Sequence, residues 1–147
     1  MTHEEISYNE LAEVVRLSLI DDADLFSFYD PNVLVKSIEE IVLDMLSKAI
    51  SHGENVRYFK VLFSGALVGY FFYKEKMLIS FGIKKQYRVR KCKKHFFKII
   101  KQVVGNNFTC ILWNKNLRAI KFLIKMGMRI NVKDFIFNGN LLTQLIN

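Results

Sequence analysis

The sequence contains few of the residues that interrupt or cross-link a fold. It has one proline, seven glycines and two cysteines in 147 residues. So few prolines and glycines argue against long linkers and low-complexity segments. We therefore expect residues 1–147 to form a single domain that buries a substantial core.

Cysteine and histidine are too sparse for a disulfide framework or a metal site. Cys92 and Cys110 both lie in apolar periodic segments, which is typical of thiols packed in a core. His3, His52 and His95 do not have the spacing of metal ligands. We predict neither a metal nor a disulfide.

The apolar runs are also short. Charged residues interrupt each of them before the roughly 20 residues that a membrane-spanning helix needs. The acidic N-terminus does not resemble a signal peptide. We expect a soluble, cytoplasmic protein with no membrane partner.

Acidic residues are almost absent from the C-terminal part. Residues 1–55 carry three basic and twelve acidic side chains, whereas residues 56–147 carry nineteen basic and only two acidic ones, Glu75 and Asp134. This asymmetry predicts an anionic partner for the C-terminal part, or neutralisation of one part by the other.

Two helices open the chain. Ser7 and Glu10 have the spacing of a capping box and predict a helix over about Tyr8 to Leu19. Asp30-Pro31 predicts the start of a second helix, whose apolar stripe ends at Ser51-His52-Gly53. Its apolar positions are Leu34, Ile38, Ile41, Val42, Met45, Leu46 and Ala49.

The apolar period then changes to two, which predicts an antiparallel meander of three strands. The strands cover residues 57–63, 66–73 and 77–83, joined by Ser64-Gly65 and by residues 74–76. Gly69, inside the second strand, indicates a bulge or a close approach of two backbones.

A βαβα unit and a hairpin complete the chain. We predict a helix over about Gln86 to Val104, a strand from Phe108 to Trp113 buried on both faces, and a helix over about Asn116 to Met126 that ends at Gly127. Leu117, Ala119, Ile120, Leu123 and Ile124 should be its buried residues. The tail forms a hairpin turning at residues 138–140. The fold class is α/β, with a central mixed sheet flanked by about four helices.

The third helix begins with a dense basic run in which seven of the eleven residues from Lys84 to Lys94 are lysine or arginine. Such a run can be a solvated face, a surface for a polyanion such as nucleic acid, or a contact for an acidic protein surface, including a second copy of the chain. The candidate surface comprises Lys84, Lys85, Arg88, Arg90, Lys91, Lys94 and Lys98.

The element order and two local patterns resemble the GNAT superfamily of acetyl-CoA-dependent N-acetyltransferases. The first pattern is Asn116-x-x-Ala119-Ile120-x-Phe122-x-x-x-x-Gly127, and the second is Ile83-x-x-x-Tyr87-Arg88 before the third helix. The resemblance implies a single GNAT-like domain that uses acetyl-CoA. Its cofactor-binding residues would be Arg88, Val89, Arg90, Lys91, Cys92, Lys93 and Asn116.

The chain departs from the family at two places. Lys91 and Lys93 replace the glycines that let the helix amides touch a pyrophosphate, and Leu123 replaces a tyrosine that serves many members as general acid. Tyr70, Tyr73 or Tyr87 could supply a hydroxyl instead, and no catalytic residue is assigned.

The residues Asn116-x-x-x-Ile120-Lys121-Phe122-Leu123 are also similar to GNAT-like internal virion proteins of short-tailed bacteriophages. The composition, rich in Lys, Ile, Phe and Asn, suits an AT-rich phage genome. Three functions follow. The first is a structural or binding component, plausibly in a virion, with lost or weak acetyl transfer. The second is an active N-acetyltransferase, and the third is a nucleic-acid-binding module.

Overall fold

The structure, a computed structural model, describes residues 1–20 and 37–147. In this part of the chain, four α-helices and one seven-stranded sheet form an α/β fold. The helices are α1 (Tyr8–Leu19), α2 (Ile38–Ser51), α3 (Arg90–Val104) and α4 (Leu117–Lys125). The strands are β1 (Thr2–Ile6), β2 (Arg57–Phe63), β3 (Ala66–Lys74), β4 (Met77–Ile83), β5 (Thr109–Trp113), β6 (Arg129–Phe137) and β7 (Asn140–Ile146).

The sheet has the order β1-β2-β3-β4-β5-β7-β6. Among these described strands, β4 with β5 is the only parallel pair, and all other neighbours are antiparallel. The predicted meander, the parallel strand pair around α3 and the terminal hairpin are therefore confirmed. Strand β1, which pairs with β2, was missed because its residues alternate weakly and only Ile6 is buried.

The helices cover the sheet unequally, and each face carries its own core. α1 and α2 pack over β2, β3 and β4 and bury residues such as Leu11, Ile41 and Phe72. α3 and α4 cover the other face and bury residues such as Phe71 and Phe96. Because α1 and α2 stop at β4, the described helices cover the outer strands beyond β4 on one face only.

This unequal cover corrects the prediction for β5. Cys110 and Leu112 are buried towards α3 and α4, but Trp113 remains 42% exposed. The strand is therefore buried on one face, not on both. A continuous apolar run does not distinguish a central strand from one whose second face lacks a helix.

The starts of two helices also differ from the prediction. α2 begins at Ile38, where Ser37 has an extended backbone and its Oγ accepts a hydrogen bond from the Glu40 amide at 3.2 Å. The predicted start at Asp30-Pro31, with Leu34, lies outside the described residues. α3 begins at Arg90 because a short 3-10 turn, Lys85–Tyr87, precedes it.

α1 and α4 show where helical periodicity succeeds and where it fails. The predicted bounds of α1 are confirmed, and the Glu10 carboxylate accepts a hydrogen bond from the Ser7 amide at 2.9 Å. In α4 the predicted buried face is confirmed at Ile120 and Leu123 and wrong at Leu117 and Ile124, which are exposed. Phe122, which was not predicted, is buried. No helix in the described residues is long and apolar enough to cross a lipid bilayer.

Candidate functional site

Strands β4 and β5 separate after two residue pairs. Parallel pairing joins Met77 to Thr109 and Leu78 to Cys110, although β4 continues to Ile83 and β5 to Trp113. Within the described part of the chain, residues 79–83 therefore have no strand partner on this side. We call this opening the β4/β5 split. Its exposed backbone groups can pair with an extended ligand, as the edge of a sheet does.

A bulge explains why the strands separate at this point. Phe72 pairs with Ser80 but Tyr73 pairs with Leu78, so Ile79 is an extra residue in β4. A bulge bends its strand and increases the local twist. The bend follows directly after Leu78, the last residue of β4 that pairs with β5. The bulge was not predicted, because no glycine or proline marks it.

On its other edge β4 lies unusually close to β3. A Cβ atom on Gly69 would lie 2.0 Å from the carbonyl oxygen of Gly82, so only glycine fits there. The register between β2 and β3 also shifts beside Gly69. The prediction of a bulge or close approach at Gly69 is confirmed, and this packing fixes the position of β4 at the split.

Helix α3 begins beyond the open end of the split, shortly after β4. Val89 is its N-cap, has an extended backbone and provides no capping side chain. The first helical hydrogen bond joins the Lys93 amide to the Val89 carbonyl at 2.9 Å. The amides of Arg90, Lys91 and Cys92 have no acceptor within residues 1–20 and 37–147. Free amides at a helix N-terminus carry partial positive charge and attract anions.

The predicted cofactor residues of the loop all lie in this region, with different surroundings. Val89, Arg90 and Lys91 are exposed, while Cys92 and Lys93 are partly buried. The Arg88 Nε donates a hydrogen bond to the Ile83 carbonyl at 2.9 Å and so ties the loop to the end of β4. Lys91 and Lys93 therefore stand beside or among the free amides.

Asn116 has a structural role at the start of α4. Its Oδ1 accepts a hydrogen bond from the Ala119 amide at 3.3 Å, which caps the helix. The next turn places Phe122 against Phe81 of β4, with ring centroids 5.5 Å apart. The Leu123 side chain is completely buried in the core under α3 and α4.

The three candidate tyrosines occupy different places. Tyr73 accepts a hydrogen bond from Arg57 Nη1 at 2.9 Å, and Tyr87 packs against the core under α3 and α4. Tyr70 is the one beside the bulge, with its hydroxyl oxygen 3.5 Å from Ser80 Oγ. Burial raises the pKa of Tyr70 to about 12. Sequence reasoning missed Ser80, which is recognisable only once the bulge is known.

The basic residues of α3 make no ion pair with an acidic residue in the described part of the chain. Ion pairs join Arg57 to Glu5 at 2.9 Å, Lys60 to Glu4 at 3.3 Å and Arg16 to Glu39 at 2.6 Å, and none of these pairs involves α3. A groove of about 670 Å³ between α3 and α4 adds further lysines to the basic surface of α3. Its basic lining residues are Lys94, Lys98, Lys101 and Lys125.

This groove lies apart from the β4/β5 split, so the molecule presents two separate features that suit an anionic ligand. Lys101 and Lys125 were not among the predicted surface residues, because the meeting of two helices is not visible in one helical repeat. In the described residues, no three histidine, cysteine or carboxylate side chains come together as a metal site would require.

Sequence comparison identifies no relatives. No protein-family model matches the chain, and no curated protein matches it significantly.

Comparison with solved structures identifies the fold. An acetyltransferase from Thermus thermophilus matches with a TM-score of 0.68 at 17% identity, covering 100% of this chain and 97% of that one. A spermidine N-acetyltransferase from Vibrio cholerae, solved with CoA and spermine, matches with a TM-score of 0.60 at 14% identity, covering 99% and 94%. An acetyltransferase of the GNAT family from Streptococcus pneumoniae matches with a TM-score of 0.53 at 16% identity, covering 99% and 96%. The chain therefore has the GNAT acetyltransferase fold.

Proposed function

We propose that the protein binds acetyl-CoA in the β4/β5 split and acts as a binding component with weak acetyl transfer. The observation that carries the proposal is the split itself, which leads from the bulge in β4 towards uncapped amides at the start of α3. A ligand with an extended amide chain and a pyrophosphate fits an arrangement of this kind.

Different groups of the chain would bind different parts of acetyl-CoA. Backbone groups of residues 79–83 would pair with the extended part of the ligand. The amides of Arg90, Lys91 and Cys92 would donate to the pyrophosphate, and the long side chains of Lys91 and Lys93 would keep it farther from these amides than glycines would. The spermidine N-acetyltransferase with the same fold binds CoA, and that finding supports this assignment for the present chain.

The proposal of weak transfer rests on the scarcity of proton donors and acceptors. Leu123 carries no ionisable group, and the pKa of Tyr70, raised to about 12, lies well above that of a thiol, about 8.5. Protonation of a thiolate by Tyr70 would thus be unfavourable. The carboxylates of the C-terminal part do not compensate, because Glu75 lies in the exposed turn after β3 and Asp134 accepts a hydrogen bond from Asn114.

Calorimetry with acetyl-CoA at moderate salt tests the proposal. We expect a dissociation constant of about 1–100 μM for the natural protein. Changing both Lys91→Gly and Lys93→Gly should tighten binding about tenfold, a gain of about 1.4 kcal/mol, because the amides become accessible at closer range.

The matched control for this experiment is Lys94→Gly, which places a glycine in the same helix outside the predicted loop. It should lower the free energy of unfolding by about 1 kcal/mol without tightening binding. The absence of any heat of binding for both the natural protein and the double variant would refute acetyl-CoA binding.

A second function, binding of a polyanion such as nucleic acid, is favoured by the basic surface of α3 and by the lysine-lined groove. If the basic residues contact phosphates, the protein should be retained on DNA at low salt. Its affinity should fall about eightfold for each tenfold increase in salt and for each phosphate contact, a slope of about 0.9 on logarithmic axes. Lys94→Glu with Lys98→Glu should abolish retention and leave acetyl-CoA binding in place. If retention on DNA changed neither with the salt concentration nor with these substitutions, this function would be contradicted.

Incorporation into a larger assembly, such as a phage virion, is the remaining role we propose, on the resemblance in α4 alone. The partner would be an acidic protein surface, or a second copy, against the basic face of α3. This role requires no acetyl-CoA. It predicts that charge reversal at Lys94 and Lys98 prevents assembly whether or not acetyl-CoA binds.

A further inference from the structure

The solvent side of α2 combines exposed apolar side chains with carboxylates. Leu43 and Ile50 are 60% and 63% exposed. Glu40, Asp44 and Ser47 are exposed on the same side of the helix. We call these five residues the α2 outer face. Apolar anchors at positions i and i+7 are typical of a helix that binds in a groove.

The groove between α3 and α4 has the complementary composition. Phe97 and Met126 lie at its bottom, since Phe97 is buried and Met126 is partly buried. Lysines surround these two residues, and Lys101 Nζ lies 5.6 Å from the centroid of the Phe97 ring. The volume of about 670 Å³ accommodates several side chains at once. The groove can therefore take apolar side chains at its bottom and carboxylates at its rim.

The spacing of the groups on the two surfaces also agrees. On α2, Leu43 and Ile50 are seven residues apart, which corresponds to about 10.5 Å along the helix axis. On α3, Lys94 and Lys101 have the same separation. The two carboxylates of the α2 outer face lie one helical turn apart, as Lys94 and Lys98 do. A helix lying along α3 can thus form two ion pairs and two apolar contacts together.

These two surfaces lie on opposite faces of the sheet, because α1 and α2 cover one face and α3 and α4 cover the other. The uneven distribution of charge along the sequence therefore becomes an acidic face and a basic face of one molecule, and the groove cannot reach α2 of its own chain. We propose that the α3/α4 groove binds the α2 outer face of a second copy. This inference rests on the assembly role proposed above and names its partner.

The proposed contact is heterologous, since it joins two different surfaces. Each copy in a pair keeps one unused groove or one unused α2 outer face, so further copies can add and form a ring or an open chain. Because the surfaces lie on opposite faces, two copies cannot satisfy both contacts at once. One helix in one groove makes a small interface, for which we expect a dissociation constant of about 1–100 μM.

Analytical ultracentrifugation of the natural protein tests the proposal without any substitution. At low salt, the mean mass should rise with protein concentration and exceed that of a dimer at about 200 μM. Raising the salt concentration from about 50 to 500 mM should weaken the association at least about tenfold, because salt screens the ion pairs at the rim of the groove.

Two variants test which surfaces meet. The groove variant, Lys94→Glu with Lys98→Glu, and the α2 variant, Glu40→Gln with Leu43→Gln, should each be monomeric under the same conditions. All four side chains are exposed, so both variants should fold. An equimolar mixture should form a complex of one copy of each and grow no further, because only one natural groove and one natural α2 outer face remain in the pair.

The matched control is Lys121→Glu with Lys133→Glu. It changes the net charge as much as the groove variant does, at exposed lysines that do not line the groove. It should associate like the natural protein. If the control also became monomeric, net charge and not the groove would govern association, and the inference would be overturned.

The other outcomes separate this inference from the proposed functions. A natural protein that stays monomeric at low salt would overturn the inference. Retention of that monomer on immobilised poly-L-glutamate, lost in the groove variant, would leave the assembly role with another acidic protein in place, and no retention would refute that role as well. Association that persists in the groove variant, or that stops at a dimer in the natural protein, would also overturn the inference. Calorimetry with acetyl-CoA decides cofactor binding independently, because the groove lies apart from the β4/β5 split.

Discussion

The two edges of β4 are paired to very different extents. Six residue pairs join β4 to β3, whereas only two join it to β5. On the closed edge, Gly69 allows the two backbones to approach closely, and Gly82 leaves room for the ring of Tyr70. On the open edge, the extra residue Ile79 bends the strand away from its neighbour. One strand therefore has a rigid side and an accessible side.

This difference shows how the sheet can remain stable although β4 and β5 separate. The closed edge keeps β4 in place through backbone pairing and the close approach at Gly69, so the open edge need not be closed by β5. Pre-positioned backbone groups bind a ligand at a lower entropic cost than mobile ones. The same arrangement predicts that changes at the closed edge affect folding, while changes at the open edge affect ligands.

The largest expected effect contrasts two phenylalanines that face each other across the closed edge. Phe71 is completely buried and stacks on Phe59 with centroids 5.2 Å apart, while its strand partner Phe81 is only partly buried. Phe71→Ala should lower the free energy of unfolding by about 3–5 kcal/mol, and Phe81→Ala by about half as much. Urea unfolding measures both changes. Equal losses would show that Phe81, on the strand beside the split, contributes as much to stability as Phe71, and the proposed contrast between the two sides would be contradicted.

A smaller effect concerns the close approach at Gly69. The Cβ atom of Gly69→Ala would collide with the Gly82 backbone, so we expect a loss of about 1–3 kcal/mol and weaker acetyl-CoA binding as β4 shifts. Gly65→Ala, in the preceding turn, is the control. It meets no atom within 4 Å but has a φ of +81°, so it should cost about 1 kcal/mol and leave binding unchanged. If Gly69→Ala and Gly65→Ala bound acetyl-CoA equally well, the close approach at Gly69 would not determine the position of β4 at the split.

Much of this fold could be predicted because its signals are local. The capping box at Ser7, the period-two strands and Gly127 after α4 each specify their structure through neighbouring residues. The missed features depend on contacts far away in the chain. Strand β1 exists because β2 offers it a partner, and β5 has one uncovered face because α2 ends its cover at β4.

The site was only partly predictable for the same reason. The loop from Arg88 to Lys93 follows from a sequence pattern, and the structure places it at the start of α3. The bulge at Ile79, by contrast, is a mismatch between two strands, which neither strand reveals alone. Ser80 lies beside this bulge and contacts Met45 of α2, so no motif could have identified it.

The smallest expected effect separates two tyrosine hydroxyls of β3. Tyr73 accepts a hydrogen bond from the charged Arg57, so Tyr73→Phe should lower the free energy of unfolding by about 1 kcal/mol. Tyr70→Phe removes only a 3.5 Å contact with Ser80 and should change stability by less than about 0.5 kcal/mol. Because the raised pKa makes Tyr70 a poor acid, Tyr70→Phe should also leave the proposed weak acetyl transfer unchanged. A marked fall in the rate of acetyl transfer, with stability preserved, would instead show that the open edge has its own proton donor in Tyr70, and the difference between the two edges of β4 would then extend to catalysis.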